Sequence, residues 1–398
     1  MMHWTVRIVQ GQKSLTFFKI SFIINFMFLI LVTLMFLIPE QSNAQIADAS
    51  FFPSVKSINP GIAHLRTHGF VALDGSKRKV DRNHDVPLGG IVGGIQTDVE
   101  LTKATLFRAG KGKGITTEFL LDQEKGEKVE DINSTTSGRR IIKNNAKSTY
   151  YGGILDLHYF GISYAGAKYD YDYKFRIGSA PNISAKDITT TLNYTNIKVG
   201  TAFKLGRISF GAYGLSQKAK GNYTYAFIDP TTGITGTVEK YPTSTSAKGY
   251  GIGLGFTSNR LRLETSLEKM YDNTLKLSKD YPQEVKKADD SSRLSLIGEA
   301  RFRLFAIGGR VRSYKGNFSD LEDIISSNLL YGEMDSDDTR LETTFNFSLG
   351  IQKGFTYSAF YTQSKATTNE KSPVFNNDLK YKAITKSSAY GVNLSYIY

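Results

Sequence analysis

Beyond residue 38, apolar side chains in this 398-residue chain recur at every second position and build no long unbroken run. The last nine residues show the pattern well. Tyr390, Val392, Leu394, Tyr396 and Tyr398 share one face of an extended strand, while Gly391, Asn393, Ser395 and Ile397 occupy the other. Successive strand side chains point to opposite sides of a sheet, so a period of two predicts strands with one apolar face. A helix would space its apolar residues three and four apart.

The same period continues upstream. Phe355, Tyr357, Ala359 and Tyr361 alternate with Thr356, Ser358, Phe360 and Thr362. Leu341, Phe345, Phe347 and Leu349 alternate with Arg340, Glu342, Thr344, Asn346 and Ser348. Eleven such strands can be counted back from Tyr398 to about Lys147, and three weaker ones lie near 115–122, 99–109 and 65–74. The total is about fourteen, and twelve or sixteen also fit. Short connections fall near 159–160, 205–207, 258–260, 303–304 and 352–354. Long polar ones fall near 123–146, 177–186, 229–236, 278–290, 316–338 and 366–385. Connections of alternating length between an even number of strands predict an all-β fold, a transmembrane antiparallel up-and-down β-barrel. The segment 316–338 also carries Leu321, Ile324, Ile325, Leu329 and Leu330 at roughly helical spacing, which fits either a short helix over the mouth or a loop with its own apolar cluster.

Composition is consistent with this. Mean hydropathy is −0.27, negative because a membrane barrel alternates lipid-facing with lumen-facing residues. The formal net charge is +13. No zinc spacing, phosphate loop or helical recognition pattern accompanies it, so no nucleic-acid partner is expected. The cations are expected to line a pore or to face anionic lipid at its rims. There is no cysteine, which suits an oxidising exterior. The single tryptophan is Trp4, so an interfacial belt must be built from Tyr and Phe.

At the N-terminus, Arg7, Lys13 and Lys19 precede an uncharged stretch over 20–38, followed by Pro39 and Ser42-Asn43-Ala44. A basic region, an apolar core and a small-residue site predict a secretory signal over 1–44, cut before Gln45. A retained membrane helix is the competing reading, since about 18 apolar residues can span a bilayer. Residues 45–64 do not read as a strand and are assigned to a periplasmic or plug segment. Residues 65–398 are assigned to the barrel.

The aromatic final residue, with Gly391, Leu394, Tyr396 and Tyr398 in its strand, resembles the C-terminal assembly signal of bacterial outer-membrane β-barrels. Ala389 departs from the polar position of that signal. The resemblance implies the outer membrane as location and the barrel assembly machinery and outer-membrane lipid as partners. About fourteen strands preceded by Asn59-Pro60-Gly61-Ile62-Ala63 resembles the long-chain fatty-acid transporter (FadL-like) family, whose N-terminal plug carries an Asn-Pro-Ala-x-x-Ala motif. Here Asn59 and Pro60 match, Gly61 replaces the alanine, and Ala63 comes one residue early. The resemblance implies passage of hydrophobic molecules, often through a lateral opening.

One pattern carries chemistry. Arg260, Arg262, Glu264 and Glu268 fall on the inward face of one strand, and Arg293, Glu299, Arg301 and Arg303 on that of the next. Arg310 and Arg312 follow on a third, and Arg340 and Glu342 on a fourth. Neighbouring strands lie about 4.8 Å apart, so these side chains can pair across the sheet. They predict either a ladder of ion pairs that stiffens the wall or an arginine-rich lumen that holds anions. Gly249, Gly251, Gly253 and Gly255 predict either room for a plug or ligand, or a sharply curved strand. Tyr169, Tyr171, Tyr173 and Phe175 read as interfacial belt ahead of a sugar-stacking platform.

No enzyme is expected. His158 shares an inward face with Asp156, whereas a phospholipase-like site needs a serine beside a histidine on the lipid side. No metal-ligand spacing and no cofactor motif is present. The expected function is passive uptake or diffusion of small, hydrophobic or amphipathic anionic molecules. The alternatives are a structural barrel whose external loops bind a partner, and an open anion-preferring porin.

Overall fold

The computed structural model describes residues 70–85, 95–113, 115–134, 138–156, 160–177, 184–228, 235–258, 260–277, 286–288, 291–302, 304–316, 338–349, 354–371 and 380–397. The chain divides into two compact units, Met1–Ala44 and Gln45–Tyr398, and the described residues all lie in the second. The plug motif Asn59, Pro60 and Gly61, the loop over 317–337, and His158, Arg303 and Tyr398 lie outside them.

The described residues are almost wholly strand: β1 (Phe70–Asp85), β2 (Ile95–Lys113), β3 (Ile115–Ser134), β4 (Gly138–Asp156), β5 (Phe160–Ile177), β6 (Ser184–Leu205), β7 (Ile208–Ile228), β8 (Thr235–Thr257), β9 (Leu261–Leu277), the three-residue β10 (Lys286–Ala288), β11 (Ser291–Arg301), β12 (Phe305–Lys315), β13 (Thr339–Leu349), β14 (Gly354–Lys371) and β15 (Lys380–Ile397). Long strands pair antiparallel with their neighbours in sequence, with β10 added beside β9. β9 pairs with both β8 and β11, and β1 pairs with β15 from Phe70↔Ile397 onward. Each of the fourteen long strands therefore has two partners, and the ladder returns to its start. Such a ladder satisfies backbone groups that lipid cannot. Gly206, at φ 61°, makes the tight β6–β7 turn, a backbone conformation that glycine adopts without steric cost.

Alternation sets the two faces. Along β13, buried and more exposed residues alternate, with Phe345, Phe347 and Leu349 outward and Glu342, Thr344, Asn346 and Ser348 buried. On β15, Tyr390, Val392, Leu394 and Tyr396 face outward at 38–65% exposure, as the terminal alternation predicts. Gly391 faces inward, where a Cβ would run into the Phe360 ring of β14. The connections at 206–207, 258–260 and 302–304 and both ends of the barrel share one end, which the general asymmetry of such barrels assigns to the periplasm, while the equally brief 135–137 link of β3 to β4 lies at the other.

Two expectations are corrected. The segment 123–146 is not a long loop: β3 and β4 pair through it from Gln123↔Thr149 to Ser134↔Gly138. Their outward residues there include Lys125, Glu127, Asn145 and Lys147, so the wall continues where the apolar alternation stops. The tyrosine ladder of β5 is not lipid-facing belt. Tyr169 is 3% exposed, stacks on Tyr171 and meets Tyr194 of β6 edge-on, while Lys168 and Asp172 take the exposed positions.

Candidate functional site

The inward wall of β6 to β14 carries a continuous row of register partners. Gly200, Tyr213, Gly251, Glu268, Arg293, Tyr314, Arg340 and Ala366 stand opposite one another in turn, and all eight are buried. Strand pairing alone puts these groups on one belt, because directly opposed residues share a face.

Glu268 is the hub. Its carboxylate accepts hydrogen bonds from Lys198 Nζ at 2.7 Å, from the Arg293 guanidinium and from the Tyr213 hydroxyl. Lys198 stands on β6, three strands away, and its ammonium also lies 5.1 Å from the Tyr213 ring centroid. The reach is open because β8 contributes only a hydrogen at Gly251. A Cβ there would fall within the van der Waals envelope of the Tyr213 ring, and one at Gly200 would come 2.6 Å from Tyr213 Cβ. The glycine ladder thus seats a neighbouring strand's side chains. At Gly249 the nearby atoms belong to the Lys269 backbone and Leu215.

The other predicted residues join this belt or lie beside it. Arg262 Nη2 meets Glu264 Oε1 at 2.6 Å, Arg301 pairs with Glu299, and Arg310 Nη2 meets Glu342 Oε1 at 3.2 Å. Arg340 stacks on the Tyr314 ring at 3.6 Å, and Arg312 Nη1 donates to the Tyr314 hydroxyl at 3.5 Å. Ion pairs thus run along the arginine stripe. Every carboxylate of the set, Glu264, Glu268, Glu299 and Glu342, is held by a cation. Lys198, Arg262, Arg293, Arg301, Arg310, Arg312 and Arg340 nevertheless outnumber them, so this part of the wall stays basic.

Five of these residues were not singled out in the sequence: Lys198, Gly200, Tyr213, Tyr314 and Ala366. Lys198 sits between the outward Ile197 and Val199, and Tyr213 between the outward Ala212 and Gly214, so alternation places both inward. Beyond this belt the inward wall is polar and includes the buried Glu124 and Lys128 of β3. Thr344 meets Thr362 at 3.0 Å and Ser348 meets Ser358 at 2.9 Å. A depression of about 440 Å³ lies on the opposite, lipid-facing side, among Phe210, Ala212, Ile252, Leu254, Leu267 and Leu294. Among the described residues there is no cluster of metal-ligating groups.

No family model and no curated protein matches the sequence. Solved structures match the fold. A Pseudomonas aeruginosa FadL homologue superposes with a TM-score of 0.55 at 12% identity, over 90% of this chain and 98% of its own. The P. putida toluene transporter TodX gives 0.55 at 8%, over 89% and 96%. The Ralstonia pickettii toluene transporter TbuX gives 0.52 at 9%, over 89% and 95%. These neighbours are transporter barrels rather than enzymes. The chain has the fold of the bacterial outer-membrane β-barrels of the FadL type.

Proposed function

We propose that this barrel is a passive outer-membrane channel for small hydrophobic or amphipathic molecules, and that its inward arginines hold an anionic head group. The basic belt carries this reading. Arg340 and Arg312 converge on Tyr314, so two guanidiniums are held side by side. Arginine recognises carboxylates through paired hydrogen bonds. The fold neighbours described as toluene transporters or as a monoaromatic hydrocarbon channel support a hydrophobic cargo. In this reading, residues 45–64 restrict free flow through the lumen.

The test is uptake by the mature protein in proteoliposomes. Replacing Arg312 and Arg340 together with glutamine is expected to slow entry of a fluorescent long-chain carboxylate on the order of tenfold, given ~1.5–3 kcal/mol for a hydrogen bond to a charged group. Entry of the matching neutral alcohol should hardly change. Equal uptake of the carboxylate by both proteins would remove the head-group role. The excess of inward cations also fits an open anion-preferring porin. A large ohmic, anion-selective conductance in planar bilayers would favour that second reading over a restricted channel.

A further inference from the structure

On the outward face, the apolar positions of many strands end in the same residue type. Leu73 is followed by Gly75 and Lys77 on β1, Leu121 by Gln123 and Lys125 on β3, and Tyr151 by Thr149 and Lys147 on β4. Tyr164 is followed by Gly166 and Lys168 on β5, and Tyr250 by Lys248 on β8. Phe210 leads through Ala212, Gly214 and Ser216 to Lys218 on β7. Lys315, Lys365 and Lys386 hold the equivalent place on β12, β14 and β15. All nine lysines are exposed.

Their height follows from strand geometry. From Ile208 to Lys218 a strand advances about 33 Å, and a tilt of about 40° reduces this to roughly the 25 Å of an outer-membrane apolar band. Lys218 therefore stands at the upper edge of that band, away from the short turns and the chain ends. The same count from Phe355 reaches Lys365, and from Tyr396 it reaches Lys386. The collar lies at the external interface.

Its spacing carries the inference. Lys125 and Lys147 are direct register partners across β3 and β4, and Lys365 and Lys386 are direct partners across β14 and β15. Like charges directly opposed on one face repel and destabilise a sheet unless an anion lies between them. Acids stand near the collar but are fewer than its nine lysines, and Glu127 is outward two residues from Lys125. Asp170, opposite Lys147 on β5, forms an ion pair with Lys168 at 3.6 Å. Asp81 stands opposite Lys386 on β1.

We propose that this collar binds the phosphate groups of anionic lipid in the external leaflet, with each opposed lysine pair bridging one phosphate. Lysine suits the task, because its flexible stem covers apolar wall while its ammonium reaches the headgroup layer. This inference concerns the outer surface and is independent of what the lumen carries.

The experiment uses the mature protein in phosphatidylcholine nanodiscs containing lipid A with both phosphates, or dephosphorylated lipid A. Retained lipid is counted by native mass spectrometry. Wild type is expected to retain the phosphorylated form selectively. The K125Q/K147Q/K365Q/K386Q variant should lose affinity on the order of tenfold or more, and the matching lysine-to-arginine variant should keep it. These positions are exposed, so the glutamine variant should remain folded, which heat-modified gel migration will confirm. Equal retention of both lipid forms by wild type, or undiminished retention by the folded glutamine variant, would overturn the proposal. So would displacement of the lipid by inorganic phosphate at equimolar concentration, which would reduce the collar to a site for free anions.

Discussion

Replacing Glu268 with glutamine is expected to cost about 3–5 kcal/mol of barrel stability, the usual penalty for breaking a buried ion pair from one side. Glu268 is 2% exposed, and its two cations, Lys198 and Arg293, are each 4% exposed. Glutamine keeps the shape and can still accept a hydrogen bond, so packing changes little. What is lost is the one negative charge between two buried positive ones. Urea unfolding in detergent micelles, followed by heat-modified gel migration, should show a much lower midpoint for E268Q. The second variant, E268Q/K198M, removes one stranded cation and should regain part of the loss, because groups in one network do not act additively. If E268Q unfolds at the wild-type midpoint, the triad does not stabilise the wall. This prediction concerns the stiffening role of the ion pairs and is separable from uptake.

The fold was legible because one physical rule, alternation between lipid and interior, acts on every strand. Counting back from Tyr396 and Leu394 located eleven strands whose outward positions carry large apolar groups. The rule failed where its cause was missing. Beyond the apolar band the outward face of β3 and β4 meets water, and Lys125, Glu127, Asn145 and Lys147 satisfy it. Both faces are then polar, so no period of two is visible, although the backbone ladder continues for another turn-free stretch. The tyrosines of β5 misled for the opposite reason. Aromatic residues are expected at membrane interfaces, but the parity of Tyr169 with the buried Ala165 and Ala167 already assigns it inward.

The belt was half legible. Charged residues on inferred inward positions announced Arg293, Arg312, Arg340 and the four carboxylates. They did not announce which strand aligns with which residue, and pairing partners follow from register. Pairing was expected across neighbouring strands. Glu268 binds Arg293 of β11, but it also holds Lys198 from β6, across two intervening strands. No nearest-neighbour rule predicts that contact. It exists because Gly251 leaves a gap and Tyr213 lies flat in it.

That dependence makes Gly251 a sensitive position in the wall. Replacing it with leucine is expected to destabilise the barrel by at least the ~1–3 kcal/mol typical of overpacking. Even the Cβ of an added side chain would overlap the Tyr213 ring. Strand conformation itself would not resist the change, since β-branched and other large residues are at home in strands. The cost must therefore arise from the ring, and a second substitution isolates it. In G251L/Y213A the ring is gone and the leucine fits the vacated space, so the double variant should unfold later than the sum of the single effects predicts. A double-mutant cycle on unfolding midpoints measures that coupling. Strictly additive effects would mean that Gly251 is small for a reason other than Tyr213. Tyr213→Phe completes the comparison. It keeps the ring over Gly251 and removes only the hydroxyl that donates to Glu268, so it should cost about 1.5–3 kcal/mol, as expected for a hydrogen bond to a charged group, without rescuing G251L.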